Sequence, residues 1–465
     1  MSSMPMNQQP QNPYGSKSML RNPNMFFGRI EVLRHIYSEI RDRQCLSLVG
    51  SRRIGKSSVL GLLSIPELQK RLGYDLTHCL FAFIDLEERV QETVEDFLGY
   101  VMKQLVGQSQ AKISLKAPQT NDVNTFRNFL DEIKSEGCYP VLLLDEFDSI
   151  TTNPRFDYSF FAFLRAQANT GNVSYITASK EPLDKLCHKD IHGSPFFNIF
   201  STHELGMFTR QEAVDLITQP SQRAGMSFTD AEVEWILKLG GRHPFFLHRT
   251  CYYLFEQKIS DESAIDLKHV SQQIYEQLHP HFKYTWEHLD SRQQEILQWE
   301  ARREQASQRK LPVFGESALF REFVRKVGSV DLTSITIDDL CKIMDELSDL
   351  RFLGESKLGY LNMVYVQVHD SDNISTIEKG VIVDKLLQSA VEQLRPKGTN
   401  QSVENDWRLY NILIWRHRDK MQNEEIAARL GIGLRHFYRE RKRAAKALLQ
   451  VLMKMEILSK PQMEI

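Results

Sequence analysis

The segment Gly50-Ser51-Arg52-Arg53-Ile54-Gly55-Lys56-Ser57 decides the fold, because its spacing is that of the Walker A phosphate-binding loop. It follows the apolar segment 45–50 and opens a helical pattern over 56–63. Its glycines let backbone amides turn toward phosphate oxygens. We expect Lys56 to bridge the β- and γ-phosphates of ATP and the Ser57 hydroxyl to ligate Mg²⁺. The expected phosphate-binding residues are Gly50, Ser51, Arg52, Arg53, Ile54, Gly55, Lys56, Ser57 and Ser58.

A second apolar segment, 141–144, runs directly into the carboxylates Asp145 and Glu146. Such a strand delivers its charges where a sheet meets solvent and nucleotide. We expect Asp145 to hold Mg²⁺ through water, and Glu146 to polarise the attacking water as a general base. Lys56, Asp145 and Glu146 are thus the central catalytic candidates, with Ser57 and Asp145 at the metal.

Two further catalytic candidates each have two interpretations. Thr177 ends the strand-like segment 173–178 and is either a sensor of the γ-phosphate or an ordinary turn-forming residue. Arg165 follows an aromatic-rich segment and is either an arginine finger toward a neighbouring subunit or a solvated or ion-paired helix end.

The composition of the chain excludes several classes of protein. The 465 residues carry a formal net charge of −2, which argues against coating nucleic acid or membrane through global charge. Six singly spaced cysteines are typical of a reducing cytoplasm. No run reaches the roughly 18 apolar residues that a membrane span requires, so we expect a cytoplasmic protein without a membrane partner.

The order of patterns predicts an α/β P-loop NTPase core, with a parallel sheet and helices on both faces, followed by helical domains. Strands are expected at 45–50, 80–86, 141–145 and 173–178.

Gly354 and Gly359 are expected in a hairpin between strands near Phe352 and at 360–368, which predicts a winged helix. The expected organisation is a disordered tail at 1–21, the core at 22–205, a helical lid at 206–280, a winged-helix-like domain at 281–370, a helical or linker segment at 371–406 and a helix-turn-helix at 407–465.

The C-terminal segment reads as a helix at 424–430, a turn at Gly431 and a longer helix at 434–453. This resembles the helix-turn-helix of sigma-factor region four. Residues 435–446 hold six Arg or Lys against one acid, which suits a DNA backbone and groove. The alternative is a protein-docking module with a solvated basic face. The expected DNA-binding residues are Arg435, His436, Tyr438, Arg439, Lys442 and Arg443.

Together with the two motifs above, Phe27-Gly28-Arg29 and the segment 240–246 resemble the STAND branch of AAA+-type ATPases. The resemblance implies an ATPase core, a lid and a winged helix that exchange nucleotide for a change of domain arrangement. It also implies that Phe27, Gly28 and Arg29 flank the adenine, and that His243 and Pro244 of the lid approach the base and phosphates.

The expected function is a slow ATPase switch in regulation or defence signalling, with ATP and Mg²⁺ as cofactors. We expect it to form a homo-oligomer on activation and to bind duplex DNA. Two alternatives remain. One is an oligomerising scaffold that docks a protein effector, and the other is a DNA-remodelling or transposition ATPase.

Overall fold

The computed structural model describes most of the chain, in two compact units that divide between Ile274 and Tyr275. The residues it describes are 10–15, 19–109, 113–186, 195–260, 266–302, 316–328, 335–367, 375–398 and 405–459. Each unit has hydrophobic cores of its own. No helix among these residues is long and apolar enough to cross a membrane.

The first unit is built on a parallel five-stranded sheet with the order β2-β3-β4-β1-β5. The chain leaves β1 toward β2 at one edge of the sheet and later places β5 on the other side of β1. Such a switch point is where α/β sheets bind ligands. The strands are β1 (Cys45–Val49), β2 (Cys79–Asp85), β3 (Tyr139–Asp145), β4 (Ser174–Ser179) and β5 (Phe200–Glu204).

Four of these strands and the parallel-sheet fold class confirm the sequence prediction. The fifth strand, β5, was missed because its sequence, Phe-Ser-Thr-His-Glu, lacks the apolar run of a buried strand. It is an edge strand whose side chains are exposed or half-buried, so hydrophobic pattern carries little signal there.

Helices cover both faces of the sheet. Side chains of β3 alternate between two cores, with Leu143 packed in the core of α1 and α2, and Leu144 in the core of α4, α5 and α7. The helices are α1 (Ile30–Arg41), α2 (Lys56–Leu62), α3 (Pro66–Arg71), α4 (Val94–Ser109), α5 (Val123–Ser135), α6 (Asp148–Thr151), α7 (Tyr158–Asn169) and α8 (Leu183–Leu186).

Three helices then form the lid, as the sequence predicts: α9 (Arg210–Arg223), α10 (Asp230–Gly240) and α11 (Pro244–Ile259). Capping boxes at Thr209 and Thr229 begin the first two, and Pro244 occupies the first turn of the third. Their apolar faces share one core that includes Leu216, Leu247 and Phe255.

The prediction that residues 1–21 are disordered is wrong for the part of this segment that the structure describes, while 1–9 and 16–18 lie outside it. Tyr14 is fully buried in the lid core, and Leu20 N donates to Ser58 Oγ on α2 at 3.2 Å. The Met, Gln, Asn and Pro residues of this segment suggested a disordered tail. Three aromatic rings of the lid, however, lie within 6.1 Å of the Tyr14 ring and hold it in place.

The second unit is helical throughout its described residues. Helix α12 (Leu267–Glu287) runs across the division between the units. It is followed by α13 (Ser291–Ala301), α14 (Ala318–Gly328), α15 (Ile337–Asp345), α16 (Leu350–Glu355), α17 (Asn362–Tyr365), α18 (Thr376–Gln393), α19 (Asn405–His417), α20 (Asn423–Arg429) and α21 (Leu434–Ser459).

The hairpin expected around Gly354 and Gly359 is wrong within the described residues. Phe352 lies in α16, and residues 357–360 and 362–365 form a 3₁₀-helix and α17. A Cβ at Gly354 would collide with the carbonyl of Thr376 at the start of α18. These glycines therefore allow close helix packing instead of forming a turn, and the winged-helix prediction loses the hairpin on which it rested.

Candidate nucleotide-binding site

The Walker A loop joins β1 to α2 at the switch point of the sheet. Gly55 has φ +107°, a conformation that a residue with a Cβ rarely adopts, and Arg53 has φ +65°. Helix α2 begins at Lys56 directly after this turn. The amides of its first turn have no partner within the helix, so they are available to an anion.

Lys56 is 5% exposed, and its ammonium group donates to the carbonyl oxygens of Gly50 at 2.8 Å and Ser51 at 3.2 Å. Burial lowers the pKa of Lys56, and the nearby carboxylates of Glu146 and Asp145 oppose this shift. The two carbonyl oxygens fill the acceptor role that phosphate oxygens would take. A buried cation with only dipolar partners at hydrogen-bond distance fits an anionic ligand.

Asp145 ends β3 beneath the loop and is 3% exposed. Burial raises its pKa to about 6, and hydrogen bonds from Ser57 and from the Glu146 backbone oppose this shift. A hydroxyl and a carboxylate side by side are oxygen donors of the kind that Mg²⁺ binds. Among the described residues no cluster of three His, Cys, Asp or Glu could hold a metal, but an Mg²⁺ at a P-loop takes its remaining oxygens from phosphates.

Glu146 lies on the wall of the cavity beside the loop. Its φ is +48°, a strained value for a non-glycine residue, and such strain concentrates at functional sites. Lys180, directly after β4, lies 3.6 Å from the Glu146 carboxylate and 3.2 Å from that of Asp148. Sequence reasoning missed Lys180, whose signal was its position one residue beyond a strand end.

The cavity has a volume of about 280 Å³ and is walled by the P-loop, the lid and the N-terminal segment. Most of the predicted nucleotide-binding residues line it: Phe27, Arg29, Arg52, Arg53, Ile54, Gly55, Lys56, Ser57, Ser58 and Pro244. Gly28, Gly50, Ser51 and His243 do not. Residues that the sequence prediction missed also line it: Met19, Leu20, Phe26, Glu87, Phe208, Leu216, Phe245 and His248.

His243 and His248 show why the cavity-lining residues of the lid were hard to predict from the sequence. His243 is 1% exposed and lies against the Phe246 ring, with centroids 4.4 Å apart. His248, one turn into α11, faces the cavity, and burial lowers its pKa to about 4. The lid therefore offers a neutral imidazole, among apolar side chains, to whatever the cavity holds.

Two groups of contacts join the P-loop side of the cavity to the lid. Arg29 donates its backbone N–H to Glu212 Oε1 and its Nη2 to the carbonyl of Gly206, both at 2.5 Å. A Cβ at Gly28 would lie 2.8 Å from Glu212 Oε1, so Gly28 permits this approach. The Arg53 guanidinium lies 5.1 Å from the centre of the Phe245 ring. Residues on the two sides of the pocket are therefore in direct contact.

Thr177 and Arg165 do not line the cavity. Thr177 is paired in register with Leu144, so it faces the core of α4, α5 and α7 while Asp145 faces α2. Its buried hydroxyl has no hydrogen-bond partner among the described residues. Arg165 lies in α7, half-buried. Their proposed roles as sensor and arginine finger stay predictions.

In the second unit, α20, a turn at 430–433 and α21 follow the predicted helix, turn and helix. Arg435, Tyr438, Arg439 and Lys442 are exposed at spacings of three and four residues, which places them on one face of α21. His436 is half-buried on the same helix.

Several basic residues of α21, including Lys442 of this face, pair with groups within the unit. Arg441 is buried, where it donates to the Cys341 carbonyl at 2.6 Å and lies 2.8 Å from Asp345. Lys442 lies 2.8 Å from Asp338, and Arg443 lies 2.9 Å from Glu440. The net charge of the helix therefore overstates the charge that a ligand meets.

Comparison with known proteins agrees with this geometry. The sequence profile of the family described as novel STAND NTPase 2 matches residues 41–307, more than half of the 465 residues. The chain belongs to this family. It is therefore an NTPase of the P-loop class. The search of curated proteins returned no match.

Solved structures similar to this STAND NTPase include a Walker-type ATPase of Pyrococcus abyssi, with 16% identity, a TM-score of 0.48, and coverage of 80% of this chain and 99% of that one. The ADP form of the Aeropyrum pernix ORC2 protein has 12% identity, a TM-score of 0.44, and coverage of 69% and 84%. The Thermotoga maritima RuvB Holliday junction branch migration motor has 14% identity, a TM-score of 0.35, and coverage of 60% and 77%.

The raised pKa of Asp145 predicts how pH affects the stability of the metal-free protein. The folded state holds the Asp145 proton up to about pH 6, whereas the unfolded state releases it near 3.8. Stability from this group is therefore present at low pH and is lost as pH rises from about 4 through 6. Asp145→Asn avoids this loss and should be more stable than wild type at pH 8, by on the order of 2–3 kcal/mol.

Scanning calorimetry in a chelating buffer at pH 8 and pH 4.5 measures this difference. We expect Asp145→Asn to melt higher than wild type at pH 8 and the gap to shrink at pH 4.5. Asp184→Asn, which changes an exposed carboxyl in the same unit, is the control. A gap that does not depend on pH would contradict the assignment.

Proposed function

We propose that the chain is an ATP- and Mg²⁺-dependent molecular switch that hydrolyses ATP slowly between the P-loop and the lid. The observation that carries this proposal is the buried Lys56 ammonium, held on two backbone carbonyls beside the adjacent Ser57 and Asp145. The apolar and aromatic wall formed by Phe27, Phe245 and His248 supports a base-binding role for the lid side.

Each residue then has a defined chemical task. Lys56 would exchange its carbonyl partners for β- and γ-phosphate oxygens, and the P-loop amides would hold the same phosphates. Ser57 and Asp145 would hold Mg²⁺, which supplies charge neutralisation for the phosphates when bound. Glu146 would accept the proton of the attacking water, and Lys180 keeps its carboxylate at the cavity wall.

The core–lid contacts support the coupling of nucleotide state to domain arrangement. Arg53 is a P-loop residue, so a bound phosphate would draw its guanidinium away from the Phe245 ring. Because Phe245 belongs to α11, this change would reach the whole lid. Such a rearrangement is also the step at which we propose that the chain forms a homo-oligomer in the cytoplasm.

Hydrolysis is tested with Glu146→Gln, which keeps the size of the side chain and removes its proton acceptor. We expect the variant to bind ATP and to lose turnover by about 100-fold or more, the usual cost of losing a general base. Phosphate release and ATP affinity are both measured on the full chain.

Asp148→Asn is the matched control, because it removes the closer Lys180 ion pair and leaves Glu146 in place. It should keep most of the turnover. Wild-type rates in Glu146→Gln would exclude Glu146 as the base, and equal losses in both variants would point to the Lys180 pairing instead.

We further propose that the exposed face of α21 binds duplex DNA. The support is the single stripe formed by Arg435, Tyr438, Arg439 and Lys442, with Arg435 near the N-terminal end of the helix, the end that reaches base edges in helix-turn-helix docking. Lys442 and Arg443 would contact phosphates. Both also have acidic partners on the protein: the Lys442–Asp338 pair is exposed and therefore weak, whereas Arg443 is itself exposed but pairs with the buried Glu440.

Replacing Lys442 and Arg443 with alanine should weaken binding to all duplex sequences and reduce the slope of log affinity against log salt by about two, one for each lost phosphate contact. Fluorescence anisotropy with the full chain and ATP, across salt concentrations, measures this. Arg351→Ala with Lys385→Ala removes the same charge from exposed positions elsewhere in the unit and should leave the slope unchanged. No duplex binding at low salt would instead favour docking of a protein effector.

A further inference from the structure

The described N-terminal residues 10–15 and 19–22, which we call the N-terminal strap, are anchored to the lid at one end. The Tyr14 hydroxyl donates to the carbonyl of Ile217 on α9, and its buried ring packs between Phe228 and His248. Asn12 Nδ2 donates to the Tyr252 carbonyl at 3.0 Å and to Glu256 Oε1 at 2.6 Å, both on α11. This end of the strap is thus bound to the lid both by hydrogen bonds and by packing of the Tyr14 ring in the lid core.

The other end of the strap is anchored to the P-loop helix. Leu20 N donates to Ser58 Oγ at 3.2 Å, one residue after the Walker A serine. Met19 lies against Gly61, where a Cβ would come within 2.8 Å of its sulfur. The described residues of the strap therefore contact α2 at one end and α9 and α11 at the other, separately from the contacts of Arg29 and Arg53.

At its P-loop end the strap forms part of the nucleotide cavity itself. Met19 and Leu20 line it together with Phe27, Leu216 and His248. A second cavity of about 270 Å³ continues from it between the strap and the lid, lined by Tyr14, Met19 and Leu20 among others. Met19 and Leu20 therefore lie between a ligand in the first cavity and this second cavity.

We propose that the N-terminal strap is a nucleotide-retention element: nucleotide leaves quickly only when the Asn12 and Tyr14 anchors detach from the lid. This inference rests on the proposed nucleotide site. Residues outside the Walker motifs would then control the rate of nucleotide exchange. They would also determine how long the switch stays in one nucleotide state.

The Asn12–Glu256 contact offers a test that leaves the lid core intact. Asn12→Asp keeps the acceptor for Tyr14 N but removes both donors and places a carboxylate against Glu256. Glu256→Gln alone keeps an acceptor for Asn12, and in the double variant the glutamine amide can donate to the new carboxylate at position 12. The pair therefore forms a double-mutant cycle in which the second change rescues the first.

Release of a fluorescent mant-ADP from the full chain, chased with unlabelled ADP in a stopped-flow instrument, is the measurement. We expect Asn12→Asp to accelerate release roughly tenfold, the effect of losing a charge-assisted hydrogen bond and gaining a like-charge contact. Glu256→Gln should stay near wild type, and the double variant should recover most of the wild-type rate. Gln11→Glu adds the same charge at the adjacent exposed residue and is the matched control.

Tyr14→Phe provides a second, independent variant, because it keeps the buried ring and removes only the hydroxyl group, with its bond to Ile217. It should also speed release. Release from Asn12→Asp and Tyr14→Phe no faster than from Gln11→Glu, in chains that bind mant-ADP, would overturn the strap proposal alone. Failure of the wild-type chain to bind any nucleotide would overturn the proposed function and this inference together.

Discussion

A buried ammonium group must be given acceptors, and Lys56 is the residue around which the first unit is organised. Its side chain reaches back over the loop to the carbonyls of Gly50 and Ser51, and burial lowers its pKa. That position requires the left-handed turn at Gly55, the placement of β1 between β4 and β5, and the helix that begins at Lys56 itself. Asp145 and Glu146 then approach the same point from β3, and their charges oppose the fall in the pKa of Lys56.

On the lid side of the pocket, the position of the lid depends on close packing between Gly28 and Glu212. Gly28 allows Glu212 to approach the chain, and Glu212 both completes the capping box of α9 and accepts the Arg29 N–H. Burial lowers the pKa of Arg29 to about 10, and the charge of Glu212 opposes this. The same residues that begin the lid helix therefore fix how the lid meets the core, so a change at the loop has a direct route to the lid.

The sequence predicted those parts of the fold whose signal is local. Four strands and the lid helices follow from apolar runs, caps and a motif with fixed spacing. It could not predict β5, an exposed edge strand, or the helix at Phe352, because Gly354 looks the same whether it turns a hairpin or lets α16 touch α18. Tyr14 and His248 were missed for a related reason: their roles come from tertiary contacts that no spacing in the sequence records.

The most direct test of the central claim, that the cavity beside Lys56 holds the phosphates of ATP, is isothermal calorimetry of a non-hydrolysable ATP analogue with Mg²⁺ against wild type and Lys56→Ala. We predict measurable binding to the wild-type chain, and at least about a 100-fold loss in the variant, because the lost ammonium forms charge-assisted hydrogen bonds with two phosphates. Equal affinity in both proteins would contradict the assignment of Lys56 and, with it, the account of the site.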